Sequence, residues 1–192
     1  MREDIRYLGW GILFVSWSMT LGLFGVVALD LLPDVAGVCF FWHFLVTYGG
    51  PQSLGMRLCR LYALIYSVLL FFPLVWMALH QRLPFLGEVL TRGAGLLWVV
   101  CLGILLGRCF ALLGTLAEKA GRQDLAAGAR RFRRAMWCLY ALRALTAGFG
   151  MTQLEGAAAL LWLALNLLLA AFAANCQPIA PALPSDTAQP SA

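Results

Sequence analysis

Long uncharged apolar runs constrain the fold of this sequence more than any other feature. The first of them, residues 7–29, holds 23 consecutive residues without a charged side chain. An α-helix needs about 20 apolar residues to cross the roughly 30 Å hydrocarbon core of a bilayer. Across the chain 62% of residues are hydrophobic and 12% are charged, whereas a soluble domain is about 45–50% apolar and about 25% charged. The pattern predicts an all-α fold, a single polytopic integral membrane helical bundle.

Six segments have the length and hydropathy of membrane spans. The second of them is interrupted, because Gly49, Gly50 and Pro51 leave only residues 35–48 as a continuous apolar stretch. A stretch of that length also suits an interfacial or re-entrant helix, which would leave five spans. The predicted spans are residues 7–29, 35–56, 61–79, 93–117, 135–154 and 156–176.

The distribution of Lys and Arg favours six spans over five. With six spans and the amino terminus inside, ten of the fourteen basic residues fall on the inner side and two on the outer side. With five spans the ratio becomes eight against four. Cytoplasmic loops of membrane proteins carry the excess of basic residues. The sequence therefore predicts a multi-pass protein of a cell membrane, a bacterial inner membrane, with both termini in the cytoplasm.

The two ends of the chain have different compositions. Residues 1–6 carry charges of both signs, and residues 7–29 exceed the roughly 7–15-residue apolar core of a cleaved signal peptide. We therefore expect residues 7–29 to remain as an anchor. Residues 177–192 are rich in Pro and Ala with a single charge, which is typical of a disordered tail.

Residues 118–134 are the one sizeable polar segment between predicted spans, and we expect them to form a basic cytoplasmic loop. The basic side chains of such a loop lie against anionic lipid headgroups or act only as determinants of topology. They are Lys119, Arg122, Arg130, Arg131, Arg133 and Arg134. No basic stripe alternates with aromatic residues on a soluble element, so no nucleic-acid partner is expected.

The chain has two histidines, His43 and His80, which the six-span arrangement places at similar depth near the outer side. Two such imidazoles could ligate a haem b or line a quinone pocket. The alternative interpretation is a pair of ordinary interfacial residues. No other cofactor is expected, and no metal, because the six cysteines include no C-x-x-C pair that would indicate a zinc site or a disulfide framework.

Two arginines fall inside predicted spans. Arg108 lies ten residues before Glu118, and Arg143 lies nine residues after Arg134, so antiparallel helices joined by a loop over 118–134 would place both at a similar depth. Such a pair predicts a site for an anionic ligand, a lipid phosphate or an acidic residue of a partner. The alternative is that both side chains reach to the headgroups. Asn166 could add an interhelical hydrogen bond to a ligand or partner site.

No sequence motif indicates a catalytic reaction, so we expect a protein that is not an enzyme. Small residues recur every fourth position, for example Gly103, Gly107 and Ala111, which is typical of helix contacts in membranes. We therefore expect a membrane subunit or accessory protein that works through helix contacts with a partner or with a second copy. Two alternatives stay open: a haem- or quinone-binding electron-transfer subunit that uses the histidines, and a small transporter of an anionic solute that uses the two arginines.

Overall fold

The computed structural model describes residues 5–21, 27–50, 52–64, 84–149 and 152–176, and all regular structure within these ranges is α-helical. The all-α prediction is confirmed for this part of the chain. The helices are α1 (Ile5–Leu21), α2 (Val27–Gly49), α3 (described over 54–64), α4 (Pro84–Lys119), α5 (Gln123–Phe149) and α6 (Thr152–Asn175). His80 and the tail 177–192 lie outside the described residues.

Within the described ranges, one helical segment is long and apolar enough to cross a membrane, Leu96–Lys119 of α4. Three shorter apolar segments accompany it: Ile5–Ser16, Val35–Gly49 and Leu160–Asn175. By length and composition these segments fit association with a membrane. Most of the predicted third span, residues 61–79, lies outside the described ranges.

The helices α1 and α2 form an antiparallel hairpin whose backbones approach closely. A Cβ atom built on Gly11 would lie 2.8 Å from Phe41, and one built on Gly37 would lie 2.5 Å from Val15. Any larger residue at either position would push the two helices apart. The glycines are therefore what allows this hairpin to close.

The first predicted span, residues 7–29, extends over parts of two described helices. The helix α1 is described over Ile5–Leu21, and residues 27–29 belong to α2. The bounds of this span stay a prediction, because residues 22–26 lie outside the described ranges.

The break predicted at Gly49, Gly50 and Pro51 is where α2 ends. Gly50 has a φ of 76°, a left-handed conformation that glycine adopts without steric cost and that commonly ends a helix. Ser53 then starts α3, since its Oγ accepts a hydrogen bond from the backbone N–H of Met56 at 3.2 Å. This is the usual geometry of a serine N-cap.

The segment 118–134, predicted to be a loop, is helical except at residues 120–122. The reversal is a Schellman turn. Gly121 has a φ of 72°, and the N–H of Arg122 donates to the carbonyl of Ala117 at 2.9 Å. This pattern satisfies the last carbonyls of α4, so the chain turns within three residues.

The start of α5 is an amphipathic helix. Ala126 and Ala129 are buried, and Leu125 and Phe132 pack against the core. These positions recur at the spacing of one helical face. Apart from the half-buried Arg133, the charged residues occupy the other faces, which is why the high charge of this segment resembled a loop in the sequence.

The packing of α4 against α5 is antiparallel and its register is defined by three glycines. A Cβ atom on Gly103 would lie 2.9 Å from Tyr140, and one on Gly114 would lie 3.6 Å from Cβ of Ala129. Continuing this register along both helices places Arg108 of α4 level with Ala135 of α5, that is, at the same height along the bundle axis. The third glycine, at position 107, lies under the ring of Trp137, with 3.0 Å between the built Cβ and Cζ2.

The contacts of the other helices show that successive helices run in opposite directions. Phe132 of α5 packs on Phe172 of α6 with ring centroids 4.8 Å apart, and Gly9 of α1 lies on the carbonyl of Ala170. The start of α1, the α2–α3 turn, the α4–α5 turn and the end of α6 therefore share one end of the bundle. We call it the basic end, because Arg6, Arg57, Lys119 and most other basic residues of the described part lie towards it.

The α4–α5 hairpin extends beyond the neighbouring α2–α3 turn at the basic end. A Cβ atom on Gly49, the last residue of α2, would lie 3.4 Å from Leu112 of α4. The helix α4 continues for seven residues past Leu112 to Lys119, a projection of about 10 Å at 1.5 Å per residue.

Candidate functional site

The polar side chains of the bundle interior converge between α5 and α6. Tyr140 and Arg143 lie three residues apart on α5, and Trp162 and Asn166 lie four apart on α6, so that each pair shares a helix face. The Tyr140 hydroxyl donates to Oδ1 of Asn166 at 3.3 Å, with both residues buried. One turn away, the guanidinium carbon of Arg143 lies 4.6 Å from the centre of the Trp162 ring.

Arg143 is half-buried on α5. It lies level with Val100 of α4, eight residues from both Arg92 and Arg108, or about 12 Å along the helix axis in each direction. The nearest charged residue on its own helix is Arg134, nine residues away. The exposed large side chains on the α5 and α6 surfaces around this level are Leu142, Leu145, Leu160 and Leu161.

The structure does not bring Arg108 and Arg143 to the same level. Arg108 is level with Ala135, and Arg143 follows Ala135 by eight residues, which is about 12 Å of helix. The expected equal depth depended on a reversal centred within residues 118–134, whereas the chain reverses at residues 120–122. Arg108 is exposed, and Arg143 packs on α6 instead.

Asn166 also borders a crevice at the centre of the bundle, and this crevice is closed. The space between its lining residues does not admit a water-sized sphere. It is therefore a packing gap and offers no room for a ligand. The lining residues are Ile12, Val15, Ser16, Phe41, Leu102, Leu106, Tyr140 and Asn166.

His43 is exposed on the outer face of α2, where its ring meets the edge of Tyr7 at a centroid distance of 4.6 Å. Its proposed partner, His80, lies outside the described residues. Cys39, one turn before His43, is also exposed. Within the described ranges no three His, Cys, Asp or Glu side chains are close enough to hold a metal ion.

The basic residues at the start of α5 differ in how they are paired. Arg130 forms an ion pair with Glu118 of α4, and Arg122 holds Asp124 through two hydrogen bonds of 3.0 and 3.1 Å. The hydrogen bond from Arg122 lowers the pKa of the exposed Asp124 carboxyl and raises that of Arg122.

The remaining basic residues of this segment have no ion pair within the described part of the chain. Three of them are exposed, and Arg133 is half-buried. The four residues are Lys119, Arg131, Arg133 and Arg134.

Three exposed tryptophans, Trp10, Trp42 and Trp137, lie at nearly one level of the bundle, with 51%, 39% and 45% of their surface accessible. Trp10 and Trp42 are linked by their sequence neighbours, because Gly11 lies against Phe41. Phe41 also lines the central crevice together with Leu106 of α4. The next residue of α4, Gly107, lies under the ring of Trp137. The three indoles thus fall within about one helical turn of each other along the bundle axis.

No protein-family model matches the chain, and comparisons with curated proteins and with solved structures found no match.

Sequence reasoning missed Tyr140 and Trp162 as functional candidates. Both look like ordinary aromatic core residues, and their partners lie on another helix. The usable signal was their spacing, since Tyr140 is three residues from Arg143 and Trp162 is four from Asn166.

Proposed function

We propose that this chain is a six-span integral membrane protein that serves as a non-enzymatic subunit or accessory protein, and that Arg143 binds an acidic side chain on a helix of its partner. Both termini would lie on the cytoplasmic side, in the cell membrane. The observation that carries the proposal is the position of Arg143, a half-buried cation that packs on Trp162 nine residues from the nearest charged residue of its own helix.

The six-span topology is supported by the alternating direction of the helices. All turns at the basic end would face one side of the membrane, and cytoplasmic ends of spans carry the excess of Lys and Arg. The level of exposed Trp10, Trp42 and Trp137 also supports it, because tryptophans concentrate where the bilayer meets water. Arg60 adds a cation beside Trp42, at 5.4 Å from its ring centre.

An arginine at the centre of a span costs roughly 2.5–3.5 kcal/mol on insertion scales. Contact with the face of Trp162 offsets part of that cost, about 2 kcal/mol when the pair is shielded from water. A carboxylate from a partner helix would add charge-assisted hydrogen bonds, which the planar guanidinium forms with two oxygens at once.

The surface on which the partner would sit is the outer edge of the α5–α6 pair beside Arg143, where Leu142 of α5 and Leu161 of α6 are exposed. The small-residue rows do not offer such a surface. Gly103 and Gly107 are covered by α5, and Ala170 is covered by Gly9 of α1. Enlarging Gly107 would therefore disturb this chain's own fold.

Topology is tested by labelling single cysteines in a background whose native cysteines are replaced. We expect Gln52→Cys and Lys119→Cys, both at exposed sites of the basic end, to react with a membrane-impermeant maleimide from the cytoplasmic side alone. Labelling is measured in intact cells and in inverted vesicles. Reaction of the two positions from opposite sides would contradict the six-span arrangement.

Partner binding is tested with Arg143→Gln, Arg143→Lys and the control Arg108→Gln, each purified in mild detergent with a photo-crosslinker at Leu142. We expect wild type and Arg108→Gln to crosslink to one membrane protein, and Arg143→Gln to lose at least about tenfold of that product, equivalent to 1.4 kcal/mol. Arg143→Lys should retain an intermediate yield. Exchange of charges, with Arg143→Glu and a basic residue in place of the partner's acid, should restore the product.

The proposal fails if Arg143→Gln crosslinks as well as wild type. It fails equally if the crosslinked partner has no acidic residue within its spans.

A further inference from the structure

We infer that the surface groove between α4 and α5 binds the phosphate of an anionic phospholipid between Arg108 and Arg134. The inference rests on the membrane insertion proposed above, and it is independent of any protein partner. The sequence predicted that Arg108 would pair with Arg143, whereas this inference pairs Arg108 with Arg134.

The register of the hairpin brings these two arginines alongside each other. Arg108 is level with Ala135, so Arg134 on the facing helix lies one residue away from the same level. Both side chains are exposed.

Contacts on either side place both residues at the border of the same groove. Towards the basic end, Arg130 of α5 reaches across to Glu118 of α4. Towards the other end, the ring of Trp137 lies over Gly107. Arg134 follows Arg130 by four residues and precedes Trp137 by three, so all three share one face of α5, and Arg108 adjoins Gly107 on the opposite wall.

The charges of the groove are incompletely balanced. Arg130 has its carboxylate in Glu118, whereas neither Arg108 nor Arg134 has an ion pair within the described residues. Two exposed cations held side by side by antiparallel helices repel each other. A phosphate between them would remove that repulsion and accept paired hydrogen bonds from both guanidinium groups.

The surroundings of the pair fit a lipid better than a free anion. Beyond Arg108, away from the basic end, α4 presents Ile104, Val100 and Leu97 at helical spacing, with Val100 and Leu97 exposed. Acyl chains could lie along this apolar strip. The exposed Trp137 lies between the arginines and the strip, at the depth where tryptophan marks the headgroup boundary.

The experiment uses the full chain in nanodiscs of phosphatidylcholine, with brominated phosphatidylglycerol or brominated phosphatidylcholine added in equal amounts. Bromine on the acyl chain quenches nearby indoles, and the part of the signal due to Trp137 is isolated by subtracting the Trp137→Phe variant. We expect phosphatidylglycerol to quench Trp137 with a preference on the order of tenfold, given the attraction of each surface arginine for anionic lipid.

The test variant is Arg108→Gln/Arg134→Gln, and the matched control is Arg6→Gln/Arg57→Gln, which removes the same charge from exposed positions at the same end. We expect the test variant to lose the preference and the control to keep it, with thermal midpoints in detergent close to wild type for both.

Equal loss in both variants would overturn the inference, because it would reveal only attraction to the net charge of the protein. Absence of any preference in wild type would overturn it as well. Quenching by brominated phosphatidylcholine reports membrane insertion separately, so a protein that fails to insert is distinguished from one that inserts without a lipid site.

Discussion

Replacing Trp162 by alanine should lower the free energy of unfolding by about 3–5 kcal/mol, the range observed for the loss of a buried tryptophan. The Trp162 side chain has 1% of its surface exposed and contacts three neighbours. It packs on Trp98 and Tyr140 with ring centroids 6.3 and 6.0 Å apart, and Arg143 lies over its face. The substitution therefore opens a cavity between α4, α5 and α6, and Arg143 loses the aromatic ring on which it packs.

The matched control for Trp162→Ala is Trp10→Ala. Trp10 is 51% exposed, and surface substitutions usually change stability by less than about 0.5 kcal/mol. Stability is measured as the midpoint of thermal unfolding in detergent, followed by circular dichroism. Similar midpoints for the two variants would contradict the packing described between α5 and α6.

A single substitution, glycine to alanine, should have opposite effects at positions 37 and 93. At Gly37 the new methyl would lie 2.5 Å from Val15 and 3.1 Å from the carbonyl oxygen of Gly11. Valine has little rotamer freedom in a helix, so α1 would have to move away from α2. We expect a net loss of about 1–3 kcal/mol, as for other overpacked sites.

At Gly93, within α4, no atom of the described residues lies within 4 Å of the built Cβ. Alanine there should stabilise the helix by about 0.5–1 kcal/mol, since glycine is a poor helix former. The same thermal measurement applies to both variants. A stabilising Gly37→Ala would show that the α1–α2 backbones are farther apart than described.

The helices themselves were largely predictable, because apolar length and helix-breaking residues are local properties. The end of α2 at Gly49 follows from the glycines and proline that come next. The helical start of α5 was not predictable from averages of charge and hydropathy, because four arginines lower the mean hydropathy of the segment and so obscure its buried stripe of apolar residues. They are Arg130, Arg131, Arg133 and Arg134. That stripe becomes visible only when the helical period is applied.

The arrangement of the candidate site was harder to predict, because it depends on the register between helices. If the predicted position of the α4–α5 turn is wrong by a few residues, the predicted pairing between residues of the two antiparallel helices is wrong by twice that number. Such an error was enough to align Arg108 with Arg143 rather than with Ala135. The pairing of Arg143 with Trp162 depends in the same way on the register between α5 and α6, which no local pattern reports.

The helix α5 is continuous from Gln123 to Phe149, a rod of about 40 Å. It carries Arg134 near its middle and Arg143 nine residues further on, with no break between them. A helix of this kind transmits tilt and rotation along its whole length. A displacement of the basic segment would therefore be carried along one continuous helix to Arg143, where α5 packs on α6.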